Sequence, residues 1–193
     1  MKFKIILKHF KTVCTHKFWV AYYCFKYGLY WQGLIHDLSK FSFTEFNESI
    51  KYYTGVRSPI EECKKDKGYS DAWLHHKGRN KHHYEYWQDN FDGGTTHLQM
   101  PFKYVLEMLC DNIAASRTYN GKDFSFLKLY EWWMNVYPKR NAMPSKAKRF
   151  IDCMIKVMKE REEKGKVNDI FPPTFFMKKR YYDMLENFYN ERC

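Results

Sequence analysis

The chain has 193 residues, of which 45% are hydrophobic and 20% aromatic, with only 9 Gly and 6 Pro. This length and composition predict one domain of ordinary size and exclude a disordered, collagen-like or low-complexity protein. Lys and Arg outnumber Asp and Glu by 33 to 22, and the resulting net charge of +11 favours acidic partners such as phosphate esters, nucleic acid or an anionic membrane surface.

The cysteines and the apolar segments predict a cytoplasmic protein. The six cysteines form no CxxC pair, and four of them lie in apolar, helix-like stretches where a free thiol acts as a small hydrophobic group. The apolar run at residues 5–7 is too short for the core of a signal peptide. The apolar stretch at residues 18–35 contains Lys26 and Gln32, whereas a membrane span needs about 20 mainly apolar residues. No membrane-spanning helix is therefore expected.

Apolar residues recur with the helical period along almost the whole chain, and strand-like alternation is scarce. Ser42 and Glu45 have the S-x-x-E spacing of a capping box, and Ser70 is a second candidate N-cap. The polar stretch at residues 54–69 is predicted to be a loop that can act as a lid. The predicted helices cover residues 5–27, 42–53, 70–90, 101–119, 125–137, 145–164 and 174–191, with a short helix or turn that ends at residue 36. The predicted fold class is all-α, in a single domain of about six or seven helices.

Four histidines lie within nine residues, in the segment WLHHKGRNKHHYEYW. A spacing of seven residues spans two helical turns and returns to the same face of a helix. His75 is therefore predicted to stack with His82. His76 stacks in the same way with His83, on a core-facing stripe that also contains Asn80. Imidazoles are costly to bury without partners, and a metal ion is such a partner; the alternative is a solvated basic face, because Lys and Arg lie between the histidines.

Four more residues extend this pattern towards a metal site. His36 and Asp37 are adjacent, so an imidazole and a carboxylate can bind one ion while the second carboxylate oxygen reaches another. His16 lies in the apolar stretch of the first predicted helix, and Asp111 ends a strongly apolar run. Taken singly, each of these two is better explained as a buried polar group with a protein partner. The order His, His-Asp, two His pairs and Asp on consecutive helices predicts a metal site.

These motifs resemble the HD-domain superfamily, helical metal-dependent phosphohydrolases with the signature H…HD…D. The extra histidines resemble its two-metal branches, the HD-GYP and cyclic-nucleotide phosphodiesterase types, but no GYP motif is present. HD-L-S-K followed by HH-x5-HH-x-E is similar to a small uncharacterised group of bacterial and phage HD-like proteins. The resemblance covers residues 11–119. It implies an HD-like metal-binding helical core, which we expect at residues 1–122. The C-terminal helices of residues 123–193 lie outside the resemblance and are expected to pack on this core in the same domain.

The resemblance also implies the metal ligands and the activity. Carried over by position, the ligands are His16, His36, Asp37, His76, His83 and Asp111. For the second ion, His75 is the alternative to His76, and His82 is an alternative or additional ligand beside His83. Nitrogen and oxygen ligands favour one or two divalent transition metal ions, namely Fe, Mn, Zn, Co or Ni. Two ions bridged by Asp37 and a water would generate hydroxide near neutral pH for in-line attack on phosphorus. The implied reaction is hydrolysis of a nucleotide or another small phosphate ester.

Further residues are predicted to support this reaction. Asp37 and Lys40 are the predicted catalytic residues, and Lys40 follows one turn after Asp37, where its ammonium group can bind a phosphate oxygen. The residues expected to bind substrate or to orient the ligands are Lys40, His75, Arg79, Asn80, His82 and Glu85. His9 is expected to be structural and His97 to be exposed.

Two other functions fit the same sequence. HD-fold proteins similar in outline to inositol oxygenase and to a phosphonate-cleaving oxygenase hold two irons with the same kinds of ligand and activate dioxygen. The charge of +11 and the many aromatic residues also fit a non-catalytic module that binds nucleic acid or a protein partner. The expected partner is a small phosphorylated substrate, with nucleic acid as the second candidate and no membrane. The sequence leaves the oligomeric state open.

Overall fold

In the computed structural model, which describes residues 2–172 and 174–193, the chain is mostly α-helical. The α-helices of this described part are α1 (Lys2–Lys26), α2 (Tyr30–Ile35), α3 (Phe43–Tyr52), α4 (Pro59–Lys67), α5 (Asp71–Lys77), α6 (Phe102–Asn120), α7 (Phe126–Val136), α8 (Ser145–Glu163) and α9 (Lys178–Arg192). One antiparallel hairpin, of β1 (Gln88–Phe91) and β2 (Gly94–His97), connects α5 to α6. The all-α prediction is confirmed, with this small hairpin added.

The predicted starts of α3 and α5 are confirmed by their capping hydrogen bonds. The Ser42 hydroxyl accepts a hydrogen bond from the backbone N–H of Glu45 at 3.3 Å. The Ser70 hydroxyl accepts one from the backbone N–H of Trp73 at 3.0 Å. Each bond satisfies a backbone donor that the first turn of a helix leaves unpaired. The two helices that flank the candidate site therefore begin where the sequence predicts.

The prediction of a loop at residues 54–69 was wrong, because this stretch contains α4. Its sequence favours a helix through charge rather than through apolar periodicity. Pro59 occupies the first turn, the acidic residues Glu61 and Glu62 follow, and three lysines lie in the last turn, an order that matches the helix dipole. Gly68 ends the helix in the left-handed conformation, with φ of 81°.

The prediction of one helix over residues 70–90 was also wrong, because α5 stops at Lys77. Gly78 follows as the C-cap residue. The side-chain amide of Asn80 donates to the carbonyl oxygen of His76 at 2.8 Å, and this local bond competes with continuation of the helix. The chain then forms a turn, a 3₁₀ segment at Tyr84–Trp87 and the hairpin. Asp92 and Gly93 form the turn of this hairpin.

One hydrophobic core joins α1 to the four helices that follow the hairpin, α6, α7, α8 and α9. Helix α6 lies against α1 and also contacts α7 and α8. Its Phe102 ring packs edge-on against Phe150 of α8 at 5.3 Å between ring centroids, and against Tyr189 of α9 at 5.5 Å. Trp133 of α7 is fully buried in the same core. No helix in the described ranges is both long enough and apolar enough to span a membrane.

Helix α2 approaches α1 closely, and this contact places the residues that follow α2. A Cβ atom on Gly33 would lie 3.0 Å from the ring of Phe25 and 3.1 Å from the Ala21 backbone, so glycine permits the approach. The Lys17 ammonium group of α1 donates to the carbonyl oxygens of Leu34 at 2.6 Å and His36 at 3.0 Å. Helix α1 thereby fixes the end of α2, where the His-Asp pair lies.

Candidate metal centre

Seven buried or half-buried side chains from five parts of the chain converge on one point. One comes from α1, two from the segment after α2, one from α5, two from the turn after α5 and one from α6. They form what we term the histidine–aspartate cluster: His16, His36, Asp37, His76, His82, His83 and Asp111. All seven are among the site residues predicted from the sequence, with His82 as a supporting residue or alternative ligand.

Asp37 lies at the centre of the cluster and has an unusual backbone. Its φ of 53° and ψ of 27° are left-handed, and it is the only non-glycine residue with positive φ in residues 2–172 and 174–193. Its carboxylate oxygen Oδ2 lies 3.3 Å from His36 Nε2 and 3.8 Å from His16 Nε2. The Lys40 ammonium group lies 2.5 Å from the same oxygen.

The other carboxylate oxygen of Asp37 faces a second set of histidines. Oδ1 lies 3.3 Å from His76 Nε2 and 3.5 Å from His82 Nε2. His83 Nε2 in turn lies 2.9 Å from His76 Nε2. One carboxylate therefore connects two groups of nitrogen ligands, with one oxygen directed at each group.

Asp111 closes the cluster from α6. Its Oδ1 lies 3.0 Å from His16 Nε2 and 3.6 Å from His36 Nε2, and its Oδ2 lies 3.9 Å from His82 Nε2. Burial alone would raise the pKa of Asp111, but the neighbouring His16 and His36 hold that pKa well below its usual range. The same balance, with His36 and Lys40 as the main partners, holds the pKa of Asp37 well below its usual range. Both carboxylates are ionised.

Two glutamates that were not among the predicted site residues contact the imidazole rings at Nδ1, the ring nitrogen that faces away from the centre of the cluster. Glu107 Oε1 lies 2.9 Å from His36 Nδ1 and 3.3 Å from His82 Nδ1. Glu45 Oε2 lies 2.8 Å from His76 Nδ1, and its Oε1 lies 2.6 Å from His75 Nδ1. A carboxylate at Nδ1 keeps the proton there and leaves the Nε2 lone pair free for a metal ion.

The unpaired atoms of the cluster test whether its residues fit a metal centre. His16 Nε2, His36 Nε2, His82 Nε2 and Asp37 Oδ1 are buried and make no hydrogen bond within the described part of the chain. Two four-residue groups that share Asp37 each offer ligand atoms within 4.8 Å of one another, one with His16, His36 and Asp111 and the other with His76, His82 and His83. Buried polar atoms without partners are costly, and nitrogen and oxygen donors at this spacing suit a divalent transition metal. The residues fit such an ion.

A cavity of about 190 Å³ opens onto the cluster. Lys40 lines this cavity together with four residues of the cluster, namely His16, His76, His83 and Asp111. The remaining wall is formed by α1, α3, the start of α4, Trp73 of α5 and the end of α6, and it consists mainly of aromatic and neutral polar residues. A small molecule in this cavity would contact the cluster and the Lys40 ammonium group together.

The other residues predicted to support the site have different positions. His75 contacts Glu45, which also contacts His76 Nδ1. The Asn80 amide contacts Ser39 Oγ at 2.8 Å and His76 Nδ1 at 3.1 Å. His75 and Asn80 therefore lie on the Nδ1 side of His76. Arg79 is exposed, and its guanidinium group donates to the carbonyl oxygen of His75. Glu85 is half-buried and makes no hydrogen bond to a cluster histidine in the part of the chain that the structure describes.

The histidines outside the cluster differ from each other. His97 is exposed on β2, as the sequence analysis expected. His9 is buried, packs against Phe46 and Tyr53 and lies in the wall of the cavity.

Comparison with known proteins places most of the chain in one family. No curated protein and no solved structure matches the chain. Residues 6–159 match the family of unknown function DUF5662, and this range contains the whole histidine–aspartate cluster, both glutamates and every described residue that lines the cavity. The chain therefore belongs to the family DUF5662.

Proposed function

We propose that the protein is a metal-dependent phosphohydrolase that acts on a nucleotide or another small phosphate ester through a dinuclear His/Asp centre. The observation that carries the proposal is the position of Asp37, whose two carboxylate oxygens face two separate groups of imidazole nitrogens. The resemblance to HD-domain phosphohydrolases supports it, because the matched residues His16, His36, Asp37 and Asp111 lie together. We further infer a cytoplasmic protein, since all six cysteines are free thiols.

Each part of the site has a role in this proposal. Divalent ions, when bound, would supply a hydroxide nucleophile near neutral pH and neutralise negative charge at phosphorus. The cluster nitrogens and carboxylates hold the ions, and Glu45 and Glu107 keep the imidazoles in the required orientation and tautomer. Lys40 binds a phosphate oxygen as a point charge.

Lys40 favours a phosphate ester over the other candidate substrates. Its ammonium group lies beside Asp37 and also lines the cavity, so an anion that enters the cavity meets a half-buried positive charge. Burial alone would lower the pKa of Lys40, but Asp37 and Asp111 raise that pKa above its usual range, and the side chain is therefore charged. The oxygenase alternative uses the same ligands and does not by itself require this cation.

The proposal is tested by metal analysis and by hydrolysis of a panel of nucleotides and phosphate monoesters. Wild-type protein is expected to retain about two equivalents of a divalent transition metal and to hydrolyse at least one monoester. Asp37→Ala should retain far less metal and no activity, because it removes the ligand that both groups share. His97→Ala removes an exposed histidine and serves as the matched control, with metal content and activity unchanged.

Several results would contradict the proposal. Equal metal content in wild type and Asp37→Ala would show that the histidine–aspartate cluster is not a metal centre bridged by Asp37. Iron that is retained in air, together with oxygen uptake and no phosphate release, would favour the oxygenase. Polynucleotide binding with a steep salt dependence and no phosphatase activity would favour the non-catalytic module.

A further inference from the structure

The cavity has a second polar region that the proposed metal centre does not use. We term it the outer wall, and it consists of His9 and Thr12 on α1 and Tyr53 directly after α3. Thr12 lies one helical turn before the ligand His16, a distance of about 6 Å along the helix axis at 1.5 Å per residue. A substrate whose phosphate lies beside Lys40 would therefore direct its alcohol portion at this wall.

The hydrogen bonds of the outer wall leave acceptor atoms free. The Thr12 hydroxyl donates to the carbonyl oxygen of Lys8 at 3.0 Å, and the Tyr53 hydroxyl lies 2.6 Å from Thr12 Oγ1. The Tyr53 hydroxyl also lies 3.3 Å from the same carbonyl oxygen of Lys8, so one of the two hydroxyl protons is directed at this carbonyl and the other lies between Thr12 and Tyr53. In either arrangement at least one lone pair of the Tyr53 oxygen remains, and it is suited to a group that donates a hydrogen bond.

His9 adds an uncharged polar group to the same wall. Its side chain is buried, and its Nδ1 makes no hydrogen bond to the residues that the structure describes. Burial and the nearby charge of Lys40 lower the pKa of His9 to about 4, so the ring is neutral at pH 7. A neutral imidazole has one donor and one acceptor and pairs well with a hydroxyl group.

The charge of the cavity restricts the number of phosphate groups. Among the described residues that line it, Lys40 is the only lysine or arginine, while Glu45 and Asp111 are acidic. A second or third phosphate group in the outer part of the cavity would meet neutral hydroxyl and aromatic groups without a cation. The volume of about 190 Å³ holds roughly six water-sized groups, which is enough for a phosphate and a short alcohol.

We propose that the outer wall selects monophosphate esters of small, uncharged alcohols that carry a further hydroxyl group about three carbons from the ester oxygen. This inference rests on the proposed function and narrows its substrate class. Tyr53 accepts the hydrogen bond of the substrate hydroxyl, and His9 lies beside it as a second neutral partner. Tyr53 is in these terms a specificity-determining residue.

The test compares two esters that differ only in hydroxyl groups, glycerol 3-phosphate and propyl phosphate. Metal-loaded wild-type protein should prefer glycerol 3-phosphate by about tenfold in kcat/KM, the effect expected of one or two hydrogen bonds to buried groups. Tyr53→Phe should reduce this preference to about twofold or less. Tyr52→Phe is the matched control, because the Tyr52 hydroxyl binds Asp66 away from the cavity, and it should keep the wild-type preference. Thr12→Val is the second variant if Tyr53→Phe fails to fold.

A binding measurement separates this inference from the proposed function. Calorimetry with chelator-treated protein should show tighter binding of glycerol 3-phosphate than of propyl phosphate in wild type and Tyr52→Phe, but not in Tyr53→Phe. If wild type binds and hydrolyses the two esters equally well, or if Tyr53→Phe keeps the wild-type preference, the inference is wrong even though the phosphatase activity stands. If metal-loaded wild type hydrolyses neither ester nor p-nitrophenyl phosphate, the proposed function fails, and the calorimetric preference alone then decides the role of the outer wall.

Discussion

Replacement of Glu107 by glutamine tests whether the cluster is a metal centre with two ions. The variant keeps the shape of the side chain and removes its charge. Glu107 Oε1 faces His36 Nδ1 at 2.9 Å and His82 Nδ1 at 3.3 Å, and these histidines belong to different ligand groups. Both imidazole N–H groups face the same oxygen, so glutamine can still accept from them there, but it lacks the negative charge that strengthens these hydrogen bonds and the metal affinity of the two rings. We therefore expect Glu107→Gln to weaken metal binding in both groups.

The size of the effect follows from these contacts. Loss of a partner behind a metal-binding histidine typically lowers metal affinity by about 10- to 100-fold, or about 1.4–2.8 kcal/mol. In metal-free protein, exchange of two hydrogen bonds to a charged acceptor for two to a neutral one costs about 1–3 kcal/mol of unfolding free energy. Burial alone would raise the pKa of Glu107, but His36 and His82 hold it below its usual range, so wild type has the ionised carboxylate that this reasoning requires.

The assay is competition between the protein and a chromophoric chelator for Mn²⁺ or Zn²⁺, with urea unfolding of chelator-treated protein beside it. Glu131→Gln makes the same chemical change on the exposed side of α7 and is the control. Metal affinities of Glu107→Gln and Glu131→Gln that agree within about twofold would refute the proposed role of Glu107. They would also show that the Nε2 atoms of His36 and His82 do not depend on a carboxylate at Nδ1.

Three further outcomes are expected. Gly33→Ala should lower the unfolding free energy by about 1–3 kcal/mol in urea titrations, because its Cβ would lie 3.0–3.1 Å from atoms of α1, whereas Gly78→Ala, in an open right-handed position, should not. Burial raises the pKa of Glu48, but hydrogen bonds from Ser70 and two backbone N–H groups lower it below its ordinary value of 4.5. Ionised Glu48 therefore stabilises the fold above this pH, and the unfolding free energy of wild type should fall more steeply below pH 4.5 than that of Glu48→Gln. Lys40→Gln should raise KM for a phosphate monoester about tenfold in steady-state kinetics, since one charge-assisted contact is lost.

The sequence predicted the cluster well because its members are polar residues inside apolar helical stretches. Each of His16, His36, Asp37 and Asp111 is conspicuous for this reason, and the structure brings them together. The double histidines also meet as expected, since His76 Nε2 lies 2.9 Å from His83 Nε2. The predicted reason was nevertheless wrong, because a turn rather than a continuous helix returns His83 to His76.

The sequence did not reveal Glu45 and Glu107, for two different physical reasons. Glu45 fits a capping box, and its backbone N–H does bond to Ser42, but its carboxylate reaches the histidines of α5 instead of the helix start. Glu107 precedes Asp111 by one turn of α6 and so shares its face, a spacing that could have indicated it. A glutamate in an apolar helix can pair with many kinds of polar group, and only the tertiary structure shows that Glu107 contacts two imidazoles.

The left-handed backbone of Asp37 has a consequence for how the fold and its chemistry are related. An L-residue other than glycine in this conformation costs about 1–2 kcal/mol, so the polypeptide would relax if position 37 lost its side chain. Asp37→Gly should accordingly yield a chain that withstands heat better than Asp37→Ala, although neither retains the bridging carboxylate. Selection for robustness alone would favour glycine at this turn, and an aspartate there gives up thermal tolerance for a carboxylate that faces both groups of histidines.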